Sequence, residues 1–554
     1  MGKIFLLFLL TLFLVFTFVI VSVFQTEFAN ADSVSTSVTV GNTPPVIQGD
    51  PAENPVSDGT TPTDVGSNVT FEVTATDSNN ENFYMAVCKS DTVTPVNGGA
   101  PTCGGGNWCI STSTPSGNEA SCSYTVQASD LSETYNWYVF VCDGNSSDAE
   151  CSTPGDTGSG SSGSPFNVNH PPTFNTISND GPKNPGQNVT FSTNASTLDD
   201  DGDPTDDTVK LIVCNSSGLT GDTCNGTQLC ASAFVANNPS CQYLIPTPTA
   251  DTSYNAYVYL IDNHELQATG INNGSNSSYS VNNVAPVVSN VIVNGGVAID
   301  LTEGTTETIS ITADVTDNNG CGGGELVSVQ ADFYRSALGA TSCNTNAEDD
   351  YDDCYALNSC VVGSCTGAGA DYTCDVDVKY HADPTDTSTE FDGQTFKSTV
   401  TASDEALSDD FESVGGVTMN SLTALDVTSS INYGAVDVGT NTGNLDQTTT
   451  VTATGNVGID QELSGTNMVS GGNNIAVNKQ RYDLSEVLYS AATGLSATAT
   501  EVEINVPKTR STGVTTVPGA DDTWWGIEIP NGTVAGVYTG TNTVTAIKGE
   551  TVGW

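Results

Sequence analysis

The chain has 554 residues, enough for roughly three to five domains. It carries 65 acids against 12 Lys and Arg, a net charge of −53. That balance excludes nucleic acid as a partner, because a phosphate footprint needs clustered Lys and Arg. It also predicts a surface that stays soluble by self-repulsion and attracts cations. Thr, Ser, Gly, Asn and Val dominate and long helix-forming runs are missing, so the expected class is all-β.

The N-terminus reads as an export signal over residues 1–31. Lys3 precedes an apolar run, Ile4 to Phe24, and a polar stretch ending in Ala29-Asn30-Ala31. That small-x-small pattern predicts cleavage before Asp32. The run has 21 residues, which also suffices to span a bilayer, so a retained N-terminal anchor is the alternative. In either case the rest of the chain faces the outside.

After a linker, 32–44, three repeats follow at 45–169, 170–284 and 285–420. They open on Asn42-Thr-Pro-Pro, Asn169-His-Pro-Pro and Asn283-Val-Ala-Pro. Proline cannot donate to a ladder and favours extended backbone, so each opening predicts a stiff lead into an edge strand. A second strand is expected at Asn68–Ala75, Asn188–Ala195 and Glu307–Ala313, and a further one just after Cys122, Cys241 and Cys374. The central strand is the clearest. It runs Tyr135–Asp143, Tyr254–Asp262 and Phe396–Asp404, with an aromatic, a Val four places on and an Asp eight places on. Alternation puts Trp137, Val139 and Val141, then Ala256, Val258 and Leu260, then Phe396, Val400 and Ala402 on one face.

From Ser421 cysteine disappears, and 421–554 reads as a separate C-terminal β-sandwich. Strands are expected on either side of Gly455-Asn456, and two more across the turn at Pro530-Asn531-Gly532. Asp483–Ala492 reads as a short helix or a loop.

The 16 cysteines fall six, four, six and none across these four domains. Four positions recur: Cys88, Cys103, Cys109, Cys122; Cys214, Cys224, Cys230, Cys241; Cys343, Cys354, Cys360, Cys374. The first repeat adds Cys142 and Cys151, and the third adds Cys321 and Cys365. Cysteines that come and go in twos, in an exported chain, predict structural disulfides. Cys142–Cys151 and Cys321–Cys365 are the expected extra pairs; the four recurring positions pair within their repeat, in any of three ways. Zinc is disfavoured, because the recurring gap of five residues with no nearby histidine does not match its ligand spacing. Cys-x-x-Cys, the redox spacing, never occurs.

The openings, the Thr-Phe/Ile strand and the aromatic-x3-Val-x3-Asp strand resemble the immunoglobulin-like repeats of secreted prokaryotic surface proteins, near the fibronectin type III and PKD-like groups. The resemblance spans about Asn42 to Met419. It implies a tandem array of β-sandwiches, with Tyr135 and Tyr254 as tyrosine corners. It says little about function.

No catalytic constellation stands out, and the expected function is not enzymatic. His170, His264 and His381 read as isolated surface histidines. The expected role is structural or adhesive at the cell surface, as a surface layer, appendage or cell-contact array. Envelope components, other surface proteins or glycans are the expected partners, together with self-association. A glycan- or protein-binding module using Trp108 is the alternative, and an accessory region of a secreted hydrolase is another. No organic cofactor is expected. Calcium is the one expected ion, since Asp/Asn-rich loops follow the Thr-Phe/Ile strands and the Asp closing each central strand lies at the same end. Asp199, Asp201 and Asp203, with Asp262 opposite, are the expected ligands in the second repeat.

Overall fold

The computed structural model describes residues 34–193, 208–270, 272–322, 324–345, 350–512 and 515–550. They are almost entirely β, with one α-helical piece, Ala340–Thr345. Two compact units divide the chain, Met1–Val168 and Asn169–Trp554.

The first unit is one sandwich. Val46–Glu53, Asn68–Thr76 and Glu119–Thr125 form one antiparallel sheet. Asn107–Ile110, Phe83–Cys88 and Tyr138–Asp143 form the facing one. Alternation places Val69, Phe71 and Val73 from the first sheet against Met85, Val87, Val139 and Val141 from the second. Phe71 meets Trp137 edge-on at 5.4 Å.

The second unit begins with the same arrangement. Ile177–Asn179, Asn188–Thr193 and Ser240–Leu244 face a sheet of Gln228–Ala231, Val209–Cys214, Tyr257–Asp262 and Ser275–Asn276. In the third repeat the two layers are one continuous sheet of seven strands. Cys354–Val362 joins them, pairing with Ser328–Arg335 at its start and with Gly369–Lys379 at its end.

The disulfides follow one rule. The first and second recurring cysteines pair (Cys88–Cys103, Cys214–Cys224, Cys343–Cys354), as do the third and fourth (Cys109–Cys122, Cys230–Cys241, Cys360–Cys374). Cys142–Cys151 and Cys321–Cys365 complete eight. In the first two repeats the third-to-fourth bridge ties one sheet to the other. The first-to-second bridge folds a loop over the outer face of the central sheet. Beneath that loop a second small core forms: Ala86, Phe140 and Cys142 in the first repeat, Ile212, Tyr259 and Ile261 in the second. The central strands there are buried on both faces, which half-buried alternation does not anticipate. Cys122, Cys241 and Cys374 lie inside their strands, Glu119–Thr125, Ser240–Leu244 and Gly369–Lys379, rather than ahead of them. A cysteine must stand on the strand to reach the facing one.

The C-terminal sandwich packs a five-stranded sheet, Leu425–Val427, Gln447–Ala453, Ala520–Ile527, Gln480–Asp483 and Thr493–Gly494, on Thr500–Val506, Ile459–Gly465 and Asn542–Lys548. The Pro530 turn is present, with Gly532 at φ +86°, which only glycine adopts readily. It does not close a hairpin, however. Ala520–Ile527 and Asn542–Lys548 belong to opposite sheets. The stretch between them is exposed, Val537 at 83%. Asp483–Ala492 forms turns rather than a helix.

Candidate functional site

Two kinds of polar cluster stand out, one at the loop ends of the sandwiches and one buried in the second unit. In the first repeat the turn after Asn68–Thr76 and the end of Tyr138–Asp143 converge. Oxygens of Asp77, Glu81 and Asp143 lie within 4.8 Å of one another. Asp77 Oδ1 accepts the amides of Asn79 and Glu81 at 2.6 and 3.3 Å. Its Oδ2 is buried with no partner. Asp143 accepts the Asn145 amide on Oδ1, and the Asn42 side chain and Glu150 amide on Oδ2. The asparagine of the Asn-x-x-Pro opening is therefore part of this cluster, which its sequence reading as a linker residue missed.

Of the ligands expected in the second repeat, Asp199, Asp201 and Asp203 lie outside the described residues. Asp262 is buried and accepts the amides of His264 and Leu266 at 2.8 and 2.9 Å and the Asn169 side chain at 3.1 Å. Burial raises its pKa against those three hydrogen bonds. In the third repeat Asp317 and Asp404 occupy the corresponding turn and strand end, both buried. A further trio, Asp460, Glu503 and Glu550, meets on the C-terminal sandwich, with both glutamates exposed.

The buried cluster joins the third repeat to the C-terminal sandwich. Arg335 bonds Asp353 at 2.8 Å, Asp383 at 3.0 Å and Gln394 at 2.7 Å, and its guanidinium lies 3.9 Å over the Phe391 ring. Lys508, 2% exposed, reaches the other oxygen of Asp383. Burial pushes Asp383 up, while Lys508 and Arg335 pull it back toward the charged form. His381 Nδ1 lies 2.8 Å from Asp352 Oδ1, and Asp352 Oδ2 accepts the Ser511 amide at 3.0 Å. Beside them Asn456, fully buried, donates to the carbonyls of Ala382 and Asn420 at 3.0 Å each and accepts the Leu422 amide at 2.6 Å. His381 is thus not a surface histidine. It is sealed at 0% exposure, so its imidazole has no route to a dissolved substrate.

Other expected residues find plain structural places. Tyr254 Oη donates to the Ala250 carbonyl at 3.1 Å, and Tyr135 Oη accepts the Ser132 amide at 2.9 Å. Trp108 is 7% exposed, bonded to the Asn136 carbonyl and packed edge-on against Tyr124, Tyr135 and Phe166. It is a core residue and offers no ring to a glycan. Among the described residues no helix is long and apolar enough to cross a membrane; Ile4 to Phe24 lies outside them.

No family model and no curated protein matches the chain. Among solved structures it is similar to a marsupial T cell receptor, at 10% identity over 63% of this chain and 96% of that one, TM-score 0.25. It is also similar to the mouse nectin-like molecule 4 ectodomain, at 10% identity over 65% and 96%, TM-score 0.28. A third likeness is to the Escherichia coli adhesin FdeC, at 11% identity over 69% and 99%, TM-score 0.20. The TM-scores are low, and the fold stands on its own strands and cores.

Proposed function

We propose that this chain is an exported structural or adhesive protein of the cell surface, an array of immunoglobulin-like sandwiches of the kind found on secreted prokaryotic surface proteins. One observation carries the reading: all 16 cysteines are paired, in eight bridges spread over the three repeats, two of which tie one sheet to the other in the first two repeats. Such bonds persist in an oxidising compartment, and each stabilises its sandwich by ~2–4 kcal/mol. The sealed Arg335–Asp383–Lys508 joint supports the same role, since a spacer must hold its domains against one another. Envelope fractionation with N-terminal sequencing tests it. The expected result is envelope or extracellular material with no titratable thiol; a start at Asp32 would show a cleaved signal, and a start at Met1 a retained anchor. Cytosolic material with free thiols would overturn the reading.

A further inference from the structure

We propose that the second and third sandwiches share a divalent-cation site of calcium type, built from Asp317, Glu325 and Asp404 of the third, Asp251 of the second and Asn283 of the linker. The inference is independent of the surface role proposed above.

Two buried carboxylates stand at this junction. Asp317 is 1% exposed and Asp404 7%. Each uses Oδ1 to hold its own turn: Asp317 accepts the Asn319 amide at 2.7 Å, and Asp404 those of Ala406 and Leu407 at 2.7 and 2.6 Å. The Oδ2 atom of each is buried with no hydrogen-bond partner. A carboxylate oxygen taken out of water without a donor is costly, so these two atoms call for a positive ligand.

The space beside Asp404 is acidic. A cavity of about 90 Å³ is lined by Asp251, Asn283, Gly324, Glu325, Asp404 and Glu405. Among the described residues no Lys, Arg or His forms an ion pair with any of these acids. Asp317 lies in the field of Asp404 and Asp251, and Glu325 in that of Asp251, Asp317, Glu405 and Asp404. Calcium takes six to eight oxygens in a flexible cage. Asp251, Asn283, Glu325 and Asp404 line the cavity and offer oxygen donors, with no thiol or imidazole among them, and Asp317 stands next to them.

The loop is also held in place before any ion binds. Cys321–Cys365 anchors the segment between Asp317 and Glu325, and the Asp317 amide bonds the Ala368 carbonyl at 2.7 Å. Asn319 donates to the carbonyls of Thr249 and Asn282 at 3.1 and 3.0 Å and accepts the Val284 amide at 2.8 Å. The cavity therefore sits where the second sandwich, the linker and the third sandwich meet. The first repeat has the same construction on its own loops: Asn79 accepts the Thr43 amide, and Asp77 Oδ2 is likewise buried without a partner.

Hydrogen–deuterium exchange of the full chain, titrated with calcium chloride against a chelator, tests this. The expected result is protection of the segments around Thr249, Asn283, Asp317 and Asp404, with a midpoint of roughly 10⁻⁴ to 10⁻³ M, the range of extracellular calcium modules. Asp251 is exposed, so Asp251→Asn leaves the fold intact. It should shift that midpoint about tenfold upward, equivalent to about 1.4 kcal/mol, and leave the first repeat's exchange unchanged. No protection at about 10 mM calcium, equal protection by sodium chloride at matched ionic strength, or an unchanged midpoint in Asp251→Asn would each overturn it.

Discussion

Lys508 and Asp383 stand 125 residues apart and end on one another in a space closed to water, with side chains 1% and 4% exposed. Neither is stable there alone. Lys508→Met should leave Asp383 with Arg335 as its one cation and destabilise the junction by about 3 kcal/mol, because a buried charge that loses its partner keeps its desolvation cost. The double change Lys508→Met with Asp383→Asn should recover part of that loss. Denaturant titration of residues 169–554 reads both; equal losses in the single and double variants would show that the pair contributes only packing.

Asn456 holds the same junction without charge. Asn456→Ala strands the Ala382 and Asn420 carbonyls and the Leu422 amide, and should cost at least about 2 kcal/mol. Gly455 beside it admits no side chain, since a Cβ would fall 1.9 Å from the Leu422 carbonyl oxygen. Gly455→Ala should therefore raise exchange at Ala382, Asn420 and Leu422 together, as measured by mass spectrometry.

Glu53 predicts a pH dependence for the first unit. It is 3% exposed, and its carboxyl accepts the Trp137 indole at 2.6 Å and the Ser57 amide at 3.0 Å. Burial outweighs those bonds and pushes its pKa up to about 7 from 4.5. The folded state thus favours the protonated acid. This stabilising effect is complete below the unfolded pKa and is lost as pH rises through about 7. The melting point of residues 34–168 should fall between pH 5 and pH 8 (a range of ~3 units spanning the shift), and Glu53→Gln should flatten the profile.

The second repeat keeps the place of a bridge it does not have. In the first repeat Cys142 and Cys151 face each other between two flanking hydrogen bonds, Asp143 N to Glu150 O and Ser152 N to Val141 O. Ile261 and Gln267 face each other between Asp262 N to Leu266 O and Ala268 N to Leu260 O. This is the close, non-hydrogen-bonded kind of antiparallel pair. Ile261→Cys with Gln267→Cys should oxidise without rearrangement. Intact mass would show the loss of two hydrogens, and thiol titration would find none free; two free thiols in the folded protein would refute the register.

The all-β class and the core-facing part of most strands were legible in the sequence, although the expected central strands break after Tyr135 and Tyr254. Val, Thr and aromatic residues at period two can only face a core from a pleated strand, and turn residues bound them. Cysteines gained and lost in twos announced the bridges, because an unpaired thiol is the costly state in an oxidising space. Its periodicity was silent on the outer faces of the central strands, where Phe140 and Ile261 are buried by a loop that only its disulfide brings there. Tertiary structure alone decided the junctions. His381 reads as a surface residue in sequence, and Asp383 and Lys508 go unmarked, since nothing local signals a charge whose partner lies 125 positions away. Strand order decided that the segments flanking the Pro530 turn enter opposite sheets, because a turn sets the direction of a chain but not the partner of its next strand. The acidic loop ends lay between these cases. Two strands running to the same end of a sandwich bring Asp77 to Asp143 and Asp317 to Asp404, whereas the approach of Asp251 depends on how one sandwich rests on the next.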